Sequence, residues 1–211
     1  AGLKVLVTAG PTRKKIDPVR YLSNHSTGKM GYAIARAAIS RGAEVTLVTG
    51  KTDLTPPGEA DTVEIVSAAD MARAVKERAR DQDIIIKAAA VADYRPKYTA
   101  DEKMKKSDSG LNIELERTED ILGFLGAHKM QGQFLCGFSM ETENMLENSR
   151  EKLRKKNLDL IVANNLKEQG AGFGTDTNIV TLLSPTDTVQ LPLLSKEEVA
   201  HRLLDYILEH R

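Results

Sequence analysis

The sequence predicts a Rossmann-like, doubly wound α/β domain built on a mostly parallel sheet. Two observations favour this fold class. Short apolar segments with strand patterns alternate with helical or loop segments along most of the chain. The run Ile84-Ile85-Ile86 lacks polar alternation, which is typical of a strand buried on both faces of a parallel sheet. A length of 211 residues suits one large domain, so we assign residues 1–211 to a single domain.

The first half of the chain carries the alternation most clearly. Strand patterns occupy residues 3–8, 44–48, 62–66 and 83–90. Helical patterns, with apolar residues spaced for one buried face, occupy residues 28–41 and 68–80. Ser67 and Asp70 mark the start of the second helix as an N-cap. Residues 9–27 are expected to be irregular because Gly10, Pro11 and Pro18 interrupt any regular pattern.

The second half continues the pattern less regularly. After a long polar loop over residues 93–110, strands are expected at 111–116, 133–138 and 158–163. Thr118 is expected to cap a helix that reaches about His128, and a further helix is expected over 142–156. Residues 178–183 and 188–193 predict an added β-hairpin. Ser195 and Glu198 form a capping box for a last helix ending near His210.

The composition excludes several classes of protein. Lys and Arg total 30 and so do Asp and Glu, so the overall charge does not favour nucleic acid or a membrane surface as a partner. No apolar run approaches the length of a membrane-spanning helix, which needs about 18 residues. The one cysteine, Cys136, allows no disulfide within the chain and suits a reducing compartment. We therefore expect a cytoplasmic protein without nucleic-acid or membrane partners.

The segment from Ser23 to Gly31 is the strongest candidate for an anion-binding site. A short strand, a polar loop of small residues and the start of a helix direct backbone N–H groups and the helix dipole toward a negative charge. Five residues add side-chain donors at the same place: Asn24, His25, Ser26, Thr27 and Lys29. The alternative is an ordinary strand-to-helix loop with a Ser or Thr cap.

Two further segments carry candidate site residues. The fourth strand ends in Ala88-Ala89-Ala90, where small side chains let a flat ring approach the backbone, and Asp93 follows as a candidate for binding ribose hydroxyls. The alternative is tight packing with a solvated Asp in a turn. Lys103-Met104-Lys105-Lys106 lies in the long loop and is either a lid over a polyphosphate or a solvated charged face. Lys152 and Lys156 lie one helical turn apart, as an anion clamp or as plain surface.

Several nucleotide and catalytic motifs are absent from the sequence. Gly28-Lys29 is followed by Met30 rather than Ser or Thr, so this loop is not a P-loop. The first turn lacks the G-x-G-x-x-G pattern, and no acidic residue directly follows the strand 44–48 where a ribose-binding carboxylate is expected. Tyr94 and Lys97 are three residues apart, not four as in the short-chain reductases. No motif for a serine hydrolase or a zinc site occurs.

Six segments in one order closely resemble the bacterial phosphopantothenoylcysteine synthetases, the phosphopantothenate–cysteine ligases of coenzyme A biosynthesis. The segments span residues 8–12, 17–21, 23–31, 89–95, 103–106 and 156–161. The resemblance implies a ligase that uses CTP, with Mg²⁺ accompanying the triphosphate. It implies that the carboxylate of 4′-phosphopantothenate is activated as an acyl-cytidylate with release of pyrophosphate. The amine of L-cysteine then attacks, giving 4′-phosphopantothenoyl-L-cysteine and CMP.

The resemblance also implies roles for individual residues. Asn24 and Lys103 match catalytic positions, and Lys103 also serves the triphosphate. The CTP contacts match Lys87, Ala88, Ala89, Asp93, Glu119, Asp120, Ile121, Leu122, Phe138, Lys152 and Lys156. The phosphate and substrate loop matches Gly10, Ser26 and Gly28, and no metal ligand is assigned. Lys87 departs from the small residue common at its position, which weakens its assignment to cytosine if its side chain points inward.

The resemblance implies partners as well. We expect a homodimer, with residues 93–116 and the hairpin as dimerisation elements, because such additions leave a strand edge for a second copy. The ligase is commonly fused to a flavin-dependent decarboxylase, and the start at Ala1 is consistent with an excised domain, so no flavin is expected here. The alternatives are an NAD(P)-binding reductase, which the missing motifs disfavour, and a nucleotide-binding regulatory module without catalysis.

Overall fold

Eight strands form one central sheet in the computed structural model of the protein, which describes residues 2–106, 108, 110–141, 144–165 and 169–211. In chain order these strands are β1 Lys4–Ala9, β4 Glu44–Thr49, β5 Asp61–Glu64, β6 Ile84–Lys87, β9 Phe134–Glu141, β10 Leu160–Asn165, β12 Val180–Leu183 and β13 Thr188–Gln190. Their spatial order is β13-β12-β10-β9-β6-β1-β4-β5. All neighbours from β10 to β5 are parallel, whereas β12 and β13 pair antiparallel. The predicted doubly wound, mostly parallel sheet is confirmed.

In the described part of the chain, five helices cover the two faces of this sheet. They are α1 Lys29–Ser40, α2 Ala68–Ala79, α3 Ile121–Ala127, α4 Met145–Lys155 and α5 Lys196–His210. The side chains of Val5 and Val7 pack with α1 and α5, whereas Leu6 between them packs with the other three helices. Because both faces are covered, the central strands are apolar throughout, which is the pattern that predicted the parallel sheet.

The chain order creates a crevice between β1 and β6. From β1 the chain crosses through α1 to β4 on one side, and after β5 it returns through α2 to β6 on the other side of β1. Connections that leave two adjacent strands in opposite directions open a crevice at the carboxyl ends of those strands. The loops after β1 and β6 therefore face each other, and an isolated parallel bridge joins Pro11 to Ala90 there.

Short antiparallel pairs occupy two segments that were expected to be irregular or only partly strand. They are β2 Lys14–Lys15 with β3 Tyr21–Leu22, and β7 Tyr94–Pro96 with β8 Leu115–Arg117. The strand expected over 111–116 is therefore limited to its end, where β7 supplies a partner. The hairpin is an extension of the protein's own sheet, because β12 pairs with β10. A third two-stranded pair among the described residues joins β11 Thr177–Asn178 to β14 Leu194–Ser195.

Two expected helix starts differ from the structure. Thr118 does not cap α3, because its hydroxyl donates to the carbonyl oxygen of Ala92 at 2.6 Å. Asp120 is the cap, and its side chain accepts from the N–H of Gly123 at 3.0 Å. Helix α4 begins at Met145 after Asn144, and the expected start at residues 142–143 lies outside the described part of the chain. None of the described helices is both long enough and apolar enough to span a bilayer.

Candidate functional site

A cavity of about 630 Å³ opens at the carboxyl ends of β6, β9 and β10, beside the start of α1. This volume lies within the range of small-molecule sites. Most of the site residues expected from sequence line it: Asn24, Ser26, Gly28, Lys87, Ala88, Ala89, Asp93, Glu119, Asp120, Ile121, Leu122, Phe138, Lys152 and Lys156. Segments that are far apart in sequence thus converge on one space, and Gly10 and Lys103 are the two expected residues outside its lining.

The N-terminus of α1 faces this cavity without a side-chain cap. Gly28 occupies the N-cap position with φ 80°, a left-handed conformation that favours glycine, and it has no side chain with which to cap the helix. The hydroxyl of Thr27 accepts from the N–H of Lys29 at 3.5 Å, a long hydrogen bond. A Cβ at Gly31 would lie 2.5 Å from the Cβ of Ala9, so the helix start packs directly on β1. The N–H groups at the start of α1 that have no intrahelical acceptor, together with the helix dipole, are therefore available to an anion in the cavity.

Asn24 ties the loop after β1 to the loop after β6. Its Nδ2 donates to the carbonyl oxygen of Ala90 at 2.8 Å, and its Oδ1 accepts from the N–H of Ser26 at 3.0 Å. A primary amide has two N–H donors and two acceptor lone pairs, so one of each remains after these bonds. The side chain is thus held at the junction of the two loops with hydrogen-bonding capacity left for a ligand.

Gly10 supports this junction from below rather than lining the cavity. It is buried, and its carbonyl oxygen accepts from the N–H of Ala90 at 3.0 Å. The hydroxyl of Thr8 accepts from the N–H of Ala89 at 3.1 Å. These bonds place the small residues after β6 directly beside β1, so Gly10 contributes to the site through backbone position.

Three lysines give the side of the cavity near α3 and α4 a positive character. Lys152 pairs with Glu141 at 2.6 Å, and Lys156 pairs with Asp120 at 3.1 Å. Although burial raises it, the N–H of Gly123 and the ammonium of Lys156 hold the pKa of Asp120 below its ordinary value. The side chain of Lys87 points into this group, where burial and then the ammonium of Lys156 lower its pKa to about 8.

The opposite side of the cavity contains polar residues that the sequence did not single out. Asn164, at the end of β10, is 3% exposed, and within the described ranges its Oδ1 has no hydrogen-bond partner. Lys196 is buried and donates to the carbonyl oxygens of Gly172 and Phe173 at 2.8 and 3.3 Å. Burial, followed by the ammonium of Lys29, lowers the pKa of Lys196 to about 8. Asn164 could have been found from sequence as a polar residue that directly follows the apolar run of residues 160–163.

Lys103 is exposed and does not line this cavity, but the backbone of the next residue, Met104, is hydrogen-bonded to Asp17 and Arg20. The buried carboxylate of Asp17 accepts from the Nε of Arg20 at 2.9 Å and from the N–H of Met104 at 3.2 Å. The guanidinium of Arg20 also donates to the carbonyl oxygen of Met104 at 2.9 Å. Hydrogen bonds from Arg20 and then from backbone N–H groups hold the pKa of Asp17 well below its usual range. The basic segment is thus anchored at one residue beside Lys103.

Carboxylates do not form a ready-made metal centre in the described part of the chain. No three side chains of His, Cys, Asp or Glu there come together closely enough to hold a metal ion. Mg²⁺ is commonly held by one or two carboxylates together with substrate phosphates.

Comparison with known proteins gives one consistent match. The family described as "DNA/pantothenate metabolism flavoprotein C-terminal domain" matches residues 1–210. The chain is 51% identical to the coenzyme A biosynthesis bifunctional protein CoaBC of Bacillus subtilis over 98% of its own length. It covers 51% of that relative, and thus spans about half the length of the curated relatives it matches.

Solved structures share the fold. The crystal structure of the C-terminal domain of a CoaBC protein is 48% identical, with a TM-score of 0.84, and covers 98% of this chain and 94% of that one. The DNA/pantothenate metabolism flavoprotein of Streptococcus pneumoniae is 28% identical, with a TM-score of 0.85 and complete coverage of both chains. A Cab2 variant in complex with phosphopantothenate-cysteine has a TM-score of 0.82 at 19% identity, which shows the common fold.

Proposed function

We propose a ligase function for this chain from one premise: the chain belongs to the DNA/pantothenate metabolism flavoprotein C-terminal domain family. In this proposal the domain joins 4′-phosphopantothenate to L-cysteine with CTP. The observation that carries it is the single cavity in which the lysine-rich side and the uncapped start of α1 meet at Asn24. Two anionic substrates have to approach each other, and this cavity offers each of them a separate cationic or dipolar surface.

The proposed reaction has two steps. A carboxylate oxygen of phosphopantothenate attacks the α-phosphorus of CTP, and pyrophosphate leaves. The neutral amine of cysteine then attacks the acyl carbon, CMP leaves, and the amine loses a proton. Asn24, held by Ala90 and Ser26, has one N–H left to donate to the acyl oxygen while negative charge develops there. Mg²⁺, bound to the triphosphate, would offset the charge of the leaving pyrophosphate.

The nucleotide is proposed to lie on the side of the cavity near α3 and α4. Lys152 and Lys156 supply ammonium groups there. Ala88 and Ala89 supply backbone at the cavity, and Ala89 packs in one cluster with Ile121 and Leu122. Asp93 lines the same side and is proposed to bind the ribose hydroxyls. A pocket for cytosine built from backbone groups distinguishes it from a purine by size and by the pattern of donors and acceptors.

Phosphopantothenate is proposed to occupy the other side, near α1 and α5. Its phosphate suits the start of α1, and its hydroxyl and amide N–H groups are donors that suit the unpartnered Oδ1 of Asn164. Asn164 lies on the face of β10 that packs toward α1 and α5, because Val162, two residues earlier, belongs to that core. The two substrates then meet at the junction where Asn24 lies.

Asn164→Leu is expected to raise the KM for phosphopantothenate about tenfold, the effect of losing one hydrogen bond of about 1.4 kcal/mol. The KM for CTP should stay unchanged. Thermal stability should be equal or higher, because an unpartnered buried acceptor costs about 1–3 kcal/mol and leucine removes it. Steady-state kinetics and thermal unfolding measure both effects.

Thr181→Val is the matched control for this prediction. Thr181 lies on β12 opposite Ala163, one position away from the pair formed by Asn164 and Val180, and it is 6% exposed. This variant changes a buried polar residue on the other face of the same strand pair and should leave the KM for phosphopantothenate unchanged. An unchanged KM in the Asn164 variant as well would remove Asn164 from the substrate site.

A homodimer is part of the proposal, and it gives Lys103 a role. In one chain this lysine is exposed and away from the cavity, so we propose that it reaches the cavity of a second copy. Chains carrying Asn24→Asp and Lys103→Gln are then each inactive alone. Mixed in equal amounts they should recover about one quarter of the wild-type rate, because half of the dimers are mixed and each has one intact site.

The mixing experiment needs two controls. The first control uses differently tagged chains to confirm that the subunits exchange. In the second, Lys106→Gln replaces Lys103→Gln in a parallel mixture, which tests whether the effect is specific to Lys103 or is shared by another lysine of the segment. Subunit exchange without recovery of ligase activity would mean that each site is built from one chain. Sedimentation giving a species near 23.1 kDa would exclude the dimer itself.

The nucleotide requirement tests the proposed function. Pyrophosphate release is measured with CTP and with ATP, each with and without phosphopantothenate. The proposal expects release with CTP only when phosphopantothenate is present, and little release with ATP. Equal turnover with ATP would contradict the cytosine pocket, and binding of NADPH without binding of CTP would favour a reductase. In the full-length relatives the domain is proposed to act next to a flavin-dependent decarboxylase, in the cytoplasm and without a flavin of its own.

A further inference from the structure

The lysines around the cavity differ in how their charges are balanced. Lys152 has Glu141 as its partner, and Lys156 has Asp120, so the charges of these two pairs cancel. The side chain of Lys87 makes neither a hydrogen bond nor an ion pair to any residue within the described ranges. Asp120 and Asp93 act on its ammonium only from a distance, so no carboxylate of the described residues contacts it directly.

The position of Lys87 follows from its place at the end of β6. It lies between Thr8 of β1 and Gly137 of β9, the latter without a side chain, in the middle of the sheet's carboxyl edge. Alternation places it on the same face as Ile85, whose core includes residues of α2, α3 and α4. The groups that face its ammonium are Lys152 and Lys156 from α4, Asp120 from the start of α3, and Asp93 after β6.

A half-buried ammonium that no carboxylate contacts directly can pair with an anion that enters the cavity. Lys87 is next to Ala88 and Ala89, whose backbone is proposed to contact the base, so its ammonium is close to any nucleotide bound there. We propose that the ammonium of Lys87 pairs with the β- and γ-phosphates of the nucleotide. This inference rests on the proposed function, and it adds a side-chain role to a residue whose family position was assigned through its backbone.

Proton uptake is the measurable consequence. In the free protein the pKa of Lys87 is lowered to about 8 by burial and by Lys156, so the ammonium is largely neutral above that pH. A bound polyphosphate returns the pKa toward its ordinary value, which is about 10.4 in unperturbed lysine. The charged form binds the ligand, so the affinity for CTP should fall as the pH rises through 8. A drop of roughly twentyfold is expected between pH 7.5 and 9.5 for a shift of about two units.

Calorimetric titration of the whole chain with CTP and with CMP, at pH 7.5 and 9.5, tests this inference. Wild type should show the loss of CTP affinity at high pH, with proton uptake detected by comparing two buffers of different ionisation enthalpy. Lys87→Gln should bind CTP roughly fiftyfold to a hundredfold more weakly at pH 7.5 and show little change with pH, and its affinity for CMP should match wild type. Lys155→Gln is the control, since Lys155 pairs with Glu151 on the exposed face of α4.

Three results would overturn the inference. They are a Lys87→Gln variant with the same pH profile as wild type, equal losses of affinity for CMP and CTP, and a Lys155→Gln variant that loses as much affinity as Lys87→Gln. Failure of the proposed function would give a different result from failure of this inference. In that case the wild-type chain itself would bind no CTP, or would release no pyrophosphate from CTP. Thermal unfolding of each variant confirms that the titrated protein is folded.

Discussion

Ligation is expected to fall at least about a hundredfold in Asn24→Asp, the loss that follows removal of one preorganised donor in an active site. The variant keeps the shape of the side chain but replaces the Nδ2 donor with a carboxylate oxygen. That oxygen would face the carbonyl oxygen of Ala90, which now receives the hydrogen bond at 2.8 Å. The added negative charge would also lie beside two anionic substrates. Both effects act on the rate, so single-turnover formation of phosphopantothenoylcysteine is the appropriate measurement.

Asn157→Asp is the matched control for the Asn24 variant. Asn157 also donates through Nδ2 to a backbone carbonyl, that of Gly126, at 3.0 Å, but it does not line the cavity. Both variants lose the same kind of hydrogen bond and should show comparable losses of thermal stability. The control should keep normal ligation. If Asn24→Asp also ligates at a near-normal rate, Asn24 is only a cap that ties two loops together.

Gly50→Ala is expected to destabilise the fold by about 3 kcal/mol, at the upper end of the usual cost of overpacking. Gly50 directly follows β4, and its N–H donates to the carbonyl oxygen of Ala9 at 3.0 Å. A Cβ there would overlap the carbonyl oxygen of Pro11, a backbone atom that cannot move without shifting the bridge to Ala90. The midpoint of thermal unfolding should fall by roughly 6–12 °C for a domain of this size.

Gly58→Ala provides the control for this steric prediction. Gly58 is exposed, and no atom lies within 4 Å of the position that its Cβ would take. The change should therefore shift the free energy of unfolding by no more than about 0.5 kcal/mol. Equal stability of the two variants would show that the loop after β1 moves to make room for the added methyl group at position 50. It would also show that this movement does not disturb the close approach of the loops after β1 and β6.

The fold could be predicted from sequence because its signals are local. Ile84-Ile85-Ile86 marks a central strand, and the pairs Ser67 with Asp70 and Ser195 with Glu198 form capping boxes in the structure as expected. Errors occurred where the outcome depends on distant partners. Thr118 has the chemistry of a cap, but the carbonyl oxygen of Ala92, brought near by the β7–β8 pair, takes its hydroxyl instead.

The candidate site was predicted less completely. Motif resemblance located the residues on the α3 and α4 side, whose lysines and small residues recur at fixed spacing. It did not find Asn164, since an asparagine after an apolar strand is common and only the fold shows its Oδ1 facing a cavity without a partner among the described residues. The lowered pKa of Lys87 could not be predicted from the sequence either, because it depends on groups contributed by α3 and α4.

The stoichiometry of the complete reaction tests the central proposal most directly. The chain is incubated with CTP, phosphopantothenate and cysteine, and the products are identified and quantified by mass spectrometry. We expect phosphopantothenoylcysteine, CMP and pyrophosphate in equal amounts. Omission of cysteine should leave an acyl-cytidylate that yields the same product when cysteine is added later. Formation of CDP and inorganic phosphate, or no product from a chain that binds CTP, would contradict the account.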